Sequence, residues 1–161
     1  MTIHVGVIAE DNSDIEVIRV LISKIARKTF SIKPFAGHGC GRVRNKCNGW
    51  AEILRQRGCS VLILVHDLDM HRLAELENGL REALGQSPIQ KHAIIIPVRE
   101  LEAWLLADHE AIQRTFRFRR RLRQIANPES IQRPKERLRD IIEQRSDHNI
   151  IYVNTVPSRG W

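Results

Sequence analysis

Hydrophobic positions follow two patterns along the chain, and the order of these patterns predicts strands and helices in turn. Short apolar runs rich in β-branched residues indicate strands, and "SVLILVHD" is continuously apolar, as in a strand covered on both faces of a sheet. The predicted strands cover residues 3–9, 30–36, 60–67 and 92–98. Between them, apolar residues recur three or four positions apart, which is the spacing of an amphipathic helix. The predicted helices cover about 13–29, 43–56, 71–84, 100–116 and a segment around Pro134.

This alternation of strands and helices predicts an α/β fold, a three-layer sandwich around a mostly parallel central sheet of about four strands. The chain has 161 residues, which suits a single domain spanning residues 1–161. We expect its core to cover about residues 3–107 and a helical C-terminal extension to cover about 108–161. Residues 149–156 are predicted to form either a final strand or an extended tail.

Composition adds a strong positive charge to this picture. The net charge of +7 favours a polyanionic partner such as nucleic acid. No apolar run approaches the roughly 20 residues that a membrane helix requires, so we expect no membrane partner. The first residues, "MTIHVGVIAED", show neither a basic leader nor a small-residue cleavage site, so no signal peptide is expected. Cys40, Cys47 and Cys59 lack metal-site spacing and are predicted to be reduced thiols of a cytoplasmic protein.

Much of the basic charge lies in the segment "RTFRFRRRLR", residues 114–123. One interpretation is a solvated helix face from which Phe116 and Phe118 reach the core. The other is a grip on the phosphate backbone of nucleic acid. The residues predicted to bind nucleic acid in this segment are Arg117, Arg119, Arg120, Arg121 and Arg123.

A second basic stretch, "GHGCGRVRNK", combines a glycine-rich loop with three cationic side chains. It lacks the Gly-Lys-Ser/Thr ending of a P-loop. Arg42, Arg44 and Lys46 are nevertheless predicted to contact phosphates, because they lie near the expected N-terminus of a helix.

Acidic side chains follow three of the predicted strands. Glu10 ends the first strand, Asp67 and Asp69 end the third, and Glu100 and Glu102 follow the fourth. The carboxyl ends of parallel strands gather at one edge of a sheet, and residues two apart on an extended segment project to the same side. We therefore expect Asp67 and Asp69 to share one ligand, with Glu10 nearby if the first and third strands are neighbours. Such an oxygen-only set of ligands favours Mg²⁺ or Mn²⁺.

Two alternatives to this metal site remain open. The acids at the strand ends are also suited to cap helices, with Asp11 and Ser13 before one helix and Asp69 before another. The second alternative is a transition-metal site built from aspartates and His38, His66 or His71, although their spacing matches no known ligand motif.

Two short motifs give this acidic pattern a family resemblance. The segments "GVIAEDNSD" and "LILVHDLD" resemble the TOPRIM domain of topoisomerases, primases and OLD-family nucleases, with a Glu after the first strand and Asp-x-Asp after the third. Residues 97–112, "PVRELEAWLLADHEAI", resemble the Glu-Ala-Trp-Leu-Leu-Ala-Asp signature of a TOPRIM-like family that is often encoded beside AAA or ABC-type ATPases, including in phage-defence loci. Residues 127–138 are similar to the segment that follows it in that family.

The resemblance implies a metal-dependent phosphodiesterase, with Glu10 and Asp67 as catalytic residues. The metal ligands that it implies, for Mg²⁺ or Mn²⁺, are Glu10, Asp67, Asp69, Glu100 and Glu102. The expected activity is a nuclease that works with an ATPase partner in phage defence or DNA processing, on DNA rather than RNA, with a homodimer as one expected assembly. Asp108 matches the last acid of the signature and is equally suited to cap a helix.

The alternative function is a catalytically inactive TOPRIM-like subunit that binds nucleic acid or a partner ATPase. TOPRIM domains often have a glycine soon after the first Glu, whereas this chain has "EDNSD", and that departure favours the inactive subunit.

Overall fold

A computed structural model describes residues 2–145 and gives the bounds of each helix and strand. The strands β1 to β4 are Ile3–Ala9, Phe30–Ala36, Val61–Val65 and His92–Ile95. The helices α1 to α6 are Asn12–Ile25, Cys40–Gln56, Leu73–Leu84, Glu102–Ala107, His109–Thr115 and Pro134–Arg145, and one 3-10 turn covers Pro128–Ser130. The strand or tail predicted at 149–156 lies outside the described residues. No described helix is long and apolar enough to cross a membrane.

The four strands form one parallel sheet in the order β2-β1-β3-β4. This confirms the predicted α/β class and the four-stranded parallel sheet. From β1 the chain continues to β2, which lies next to one edge of β1, and then crosses over to β3, which lies next to the other edge. Because parallel crossovers are right-handed, α1 covers one face of the sheet and α2 and α3 cover the other. The change of direction occurs between β1 and β3.

The main core lies between the sheet and the face formed by α2 and α3. Ile8, Leu62 and Leu64 of the sheet pack with Leu54 of α2 and are fully buried. Each such side chain contributes about 1.5–3 kcal/mol to the free energy of unfolding. Gly6 allows this close approach, because a Cβ at that position would lie 2.8 Å from Leu54 Cδ1.

The chain divides into two compact units, Met1–Ile96 and Pro97–Trp161. The first contains the whole sheet, and the border lies earlier than the expected boundary between residues 107 and 108. The second unit has a hydrophobic core of its own. Its buried members are Leu106, Ile112, Phe118, Leu122, Leu138, Ile141 and Ile142.

The single helix predicted over residues 100–116 is wrong, because the chain forms two short helices there. Asp108 separates α4 from α5 with φ −100° and ψ 71°, and its Oδ1 accepts a hydrogen bond from Ala111 N at 2.9 Å. Asp108 is therefore the N-cap of α5, which is one of the two roles expected for it.

The helix expected through the arginine-rich segment is also wrong, because α5 ends at Thr115. Phe118 N donates to Gln113 O at 3.2 Å and Arg117 N donates to Arg114 O at 3.4 Å. Arg117 has a φ of 51°, in the left-handed region. This is the Schellman pattern that ends helices, in which glycine usually occupies the left-handed position. Because arginine and not glycine occupies that position here, the segment contains no recognisable helix-stop signal.

Candidate functional site

The carboxyl ends of β1 and β3 bring two of the predicted site residues together. β1 pairs with β3 in parallel, with Ile8 opposite Leu64. Just beyond this ladder, Asp67 N donates a hydrogen bond to Glu10 Oε1 at 3.1 Å. In open parallel sheets, ligands bind outside the carboxyl ends of the strands at the point where the strand order reverses, and here that point lies between β1 and β3.

His66 is the buried neighbour of this carboxylate and was not predicted to contact it. Its Nδ1 lies 3.0 Å from Glu10 Oε1 and 2.8 Å from Asp67 O, and the residue is only 2% exposed. A carbonyl oxygen only accepts hydrogen bonds, so Nδ1 must carry the hydrogen. No spacing in the sequence indicated this contact, because it depends on the pairing of β1 with β3.

The electrostatic surroundings of Glu10 are unfavourable for its negative charge. Burial raises the pKa of Glu10 above its ordinary value, and the nearby charges of Asp69 and Asp14 raise it further. His66 and the Asp67 backbone amide lower the pKa but do not outweigh burial. The charges of three acids, Glu10, Asp14 and Asp69, therefore act at this end of the sheet.

Asp14 belongs to this group and was not predicted as a site residue. It is 7% exposed, and its Oδ2 accepts a hydrogen bond from Asp11 N at 3.0 Å. Asp11 is the N-cap of α1, as one alternative predicted, and the two acids form a capping box. The sequence does contain a signal for this capping box, namely two acids three residues apart at the start of a predicted helix. Ser13, the other predicted cap, lies inside the helix.

The geometry expected for Asp69 is wrong in two respects. β3 ends at Val65, so Asp67 and Asp69 do not lie on one extended strand, and Asp69 has a φ of 47° in a turn. Their side chains are therefore not related by the two-residue period of a strand. Nor does Asp69 cap α3, because Arg72 occupies the N-cap position of that helix. Its charge nevertheless acts on Glu10.

The glycine-rich loop after β2 runs beside the main chain of Glu10. Gly37 N donates to Ala9 O and His38 N donates to Glu10 O, both at 2.8 Å. These bonds extend the pairing of β1 and β2 past the end of the strands. The start of α2 consequently lies at the same edge of the sheet as the carboxylates.

Three predicted nucleic-acid contacts lie in the first half of α2. The helix begins at Cys40, three residues before the expected start, and Arg42, Arg44 and Lys46 are exposed on it. Its first turn contains no acidic residue, and a helix N-terminus favours anions. The Arg44 guanidinium extends across α3, since a Cβ at Gly79 would lie 3.0 Å from Arg44 Nη2.

Glu100 and Glu102 have contacts within the second unit. Glu100 Oε2 accepts a hydrogen bond from Lys135 N at 2.9 Å, in the first turn of α6. Glu102 is 6% exposed, and its Oε1 lies 3.9 Å from Lys135 Nζ. Both acids thus meet at Lys135, where they support the start of a helix. Their role as metal ligands stays a prediction.

The acids at the β1 and β3 ends have suitable chemistry for a hard divalent cation but are not arranged as a complete cage. Within residues 2–145, no group of three His, Cys, Asp or Glu side chains is placed to hold a metal ion. Mg²⁺ commonly binds through one or two carboxylates and completes its shell with water and phosphate oxygens. The donor set of Glu10, Asp67 and Asp69 fits that mode of binding.

In the second unit, all the arginines predicted to grip phosphate are exposed, but on an irregular segment. Phe118 and Leu122 fix this segment to the core of the unit, and Leu122 N donates to Gln113 Oε1 at 2.9 Å. The exposed arginines are Arg117, Arg119, Arg120, Arg121 and Arg123.

Comparison with curated proteins and with solved structures finds no significant match. One family model matches residues 9–156, which is nearly the whole chain and includes β2 to β4 and most of the second unit. The chain therefore belongs to the family described as a domain of unknown function, DUF4276.

Proposed function

We propose that this protein is a divalent-metal-dependent phosphodiesterase, and specifically a nuclease. The observation that carries the proposal is the position of Glu10 at the β1/β3 switch point. There it is held by Asp67 and His66, and its pKa is raised by burial and by two further acids. A cation would relieve that repulsion, and functional carboxylates are often found where such shifts occur.

Glu10, Asp67 and Asp69 are the residues that we propose as ligands of Mg²⁺ or Mn²⁺. When bound, the cation would supply Lewis acidity toward a phosphoryl oxygen and toward a bound water. Glu10 Oε1 accepts a hydrogen bond from Asp67 N and lies beside His66 Nδ1, whereas Glu10 Oε2 accepts no hydrogen bond from any described residue. That second oxygen is suited to meet a cation or to take the proton of an attacking water.

The substrate class that we propose is nucleic acid, with DNA favoured over RNA by the resemblance to TOPRIM nucleases. The net charge of +7 and the exposed arginines of both units support a polyanionic substrate. The same resemblance supports an AAA or ABC-type ATPase partner. The buried free thiols Cys47 and Cys59 support the cytoplasm as the compartment.

A second candidate is a subunit that binds nucleic acid or an ATPase without catalysis. This candidate is supported by the hydrogen bonds that two acids make within the fold. Glu10 links the end of β1 to the segment after β3, and Glu100 supports the start of α6. The lack of a preformed three-ligand group in the described residues is compatible with this role as well.

The experiment that tests the proposal compares Glu10→Gln and Asp67→Asn with wild type in Mn²⁺ calorimetry and in a DNA cleavage assay. Both substitutions keep the size of the side chain and remove its charge. Glu52→Gln is the matched control, since Glu52 is a half-exposed glutamate that pairs with Arg55 on α2. We expect both site variants to lose Mn²⁺ affinity and cleavage, and the control to retain them.

Cleavage at the wild-type rate by both site variants would remove the proposed activity. Salt-sensitive DNA binding by a wild-type protein that has no Mn²⁺ affinity would instead establish the second candidate.

A further inference from the structure

The arginine-rich segment contains no acidic residue of its own. Among the described residues, six arginines in helices or at a helix N-cap pair with a glutamate three or four residues away. These pairs are Arg19–Glu16, Arg55–Glu52, Arg72–Glu75, Arg81–Glu77, Arg114–Glu110 and Arg139–Glu143. By contrast, residues 111–128 contain no Asp or Glu at all. After Arg114, no arginine of this segment has an acidic residue three or four positions away in the sequence.

The Schellman turn at Arg117 determines where these arginines lie. It ends α5, and the buried side chains of Phe118 and Leu122 then hold the following residues against the core. The segment runs close to the end of α6, where Arg145 Nη1 donates to Arg121 O at 3.4 Å. Arginines that are distant in sequence are thereby gathered at one place.

A cleft of about 410 Å³ lies at this junction. Its described lining residues are Arg119, Arg120, Gln144 and Arg145. The volume falls within the range of about 300–1,000 Å³ that is typical of ligand sites. Arg120 and Arg145 form no ion pair with any residue in 2–145.

The chemistry of the lining selects for an anion with several acceptor oxygens. Each guanidinium carries five N–H donors and no acceptor, so the three arginines of the lining have no atom that could coordinate a cation. Their mutual repulsion also favours a ligand that brings negative charge. The planar donor fork of arginine matches two oxygens of one phosphate group.

We propose that the cleft between the arginine-rich segment and the end of α6 binds backbone phosphates of nucleic acid, with Arg120 and Arg145 as its principal donors. Naming nucleic acid as the anion rests on the proposed function, whereas the anion site itself rests on the cleft. The inference adds Gln144 and Arg145 of α6 to the interface. It also distinguishes Arg119 and Arg120, which line the cleft, from the other arginines of the segment, which are not among its described lining residues.

The test measures binding of a fluorescent single strand of about 16 nucleotides by anisotropy, with the full chain in EDTA so that no divalent cation is present. The site variants are Arg120→Gln and Arg145→Gln. The matched controls are Arg114→Gln, from the same segment, and Arg139→Gln, from the same helix; both residues are exposed and lie outside the cleft lining. Thermal unfolding confirms that each variant is folded.

Each site variant is expected to weaken binding about tenfold and to reduce the slope of log affinity against log salt by about 0.7, the value of one lost phosphate contact on a single strand. The controls should change affinity less than about twofold. Inorganic pyrophosphate should compete with the strand for wild type and not for the site variants.

Equal weakening by all four variants would show a diffuse basic surface and overturn the proposal, as would full affinity in Arg145→Gln or the absence of strand binding by wild type. Because the assay contains no divalent cation, failure of the metal site would leave this result unchanged.

Discussion

The contacts of Glu10 predict opposite effects on stability for two substitutions at one position. Glu10 Oε1 accepts a hydrogen bond from Asp67 N and lies 3.0 Å from His66 Nδ1, while its negative charge is opposed by burial, Asp69 and Asp14. Glu10→Gln keeps an acceptor oxygen at that place and removes the charge. Glu10→Ala removes the charge and the acceptor together.

The expected changes in stability follow from these two contributions, the negative charge of Glu10 and its acceptor oxygen. Because the folded state holds the Glu10 proton more tightly than the unfolded chain, ionisation of Glu10 opposes folding. Each unit by which its pKa is raised corresponds to at most about 1.4 kcal/mol, less some solvent screening since the side chain is 15% exposed. This penalty is complete above the raised pKa and absent below 4.5, the ordinary value. Loss of the acceptor in Glu10→Ala costs about 1–3 kcal/mol at any pH.

Thermal unfolding of wild type and both variants at several pH values measures these effects. Glu10→Gln should be at least as stable as wild type at pH 8, with the difference disappearing as pH falls below 4.5. Glu10→Ala should melt below Glu10→Gln throughout, by about 2–4 °C per kcal/mol. The reasoning is refuted if the two variants melt together, or if the difference between wild type and Glu10→Gln does not change with pH.

Three further predictions concern stability and are checked by thermal or denaturant unfolding. Gly6→Ala should destabilise the protein by about 1–3 kcal/mol, because the new Cβ lies 2.8 Å from Leu54 Cδ1; an unchanged melting temperature would contradict this packing. Gly49→Ala, in α2 with no atom within 4 Å of the new Cβ, should stabilise by about 0.5–1 kcal/mol, so a loss of stability there would count against the helix. Asp108→Ala should cost about 0.5–2 kcal/mol by removing the acceptor of Ala111 N, whereas Asp108→Asn should cost much less.

The strands were predictable because each is a short run rich in β-branched or aromatic residues, and β3 in addition is apolar at every position. β1 and β2 have the predicted bounds, and β3 and β4 start within one residue of the prediction. Both of the latter end early, at Val65 and Ile95. The residues directly after β3 and β4 are a mixture of apolar and polar side chains. Their hydrophobic pattern does not show where the hydrogen-bonded ladder stops and the loop begins.

The breaks in the C-terminal helices were harder to predict for a specific chemical reason. Helix ends are recognised in a sequence mainly through glycine or proline, and neither occurs at Asp108 or Arg117. Apolar residues at helical spacing continue through both positions. The burial of Phe118 and Leu122 in the second unit, which fixes the turn, involves α6 and is not a local property of the segment.

The sequence by itself determined the α/β class, the order of strands and helices, and the presence of acids after three strands and of a basic surface, because these depend on local hydrophobic period and composition. Only the tertiary structure decided which acids act together. The order β2-β1-β3-β4 places Glu10 against Asp67 and His66, and the fold of the second unit places Glu100 and Glu102 around Lys135. Strand pairing and the close approach of side chains distant in sequence arise from packing of the whole chain, and no local pattern encodes them.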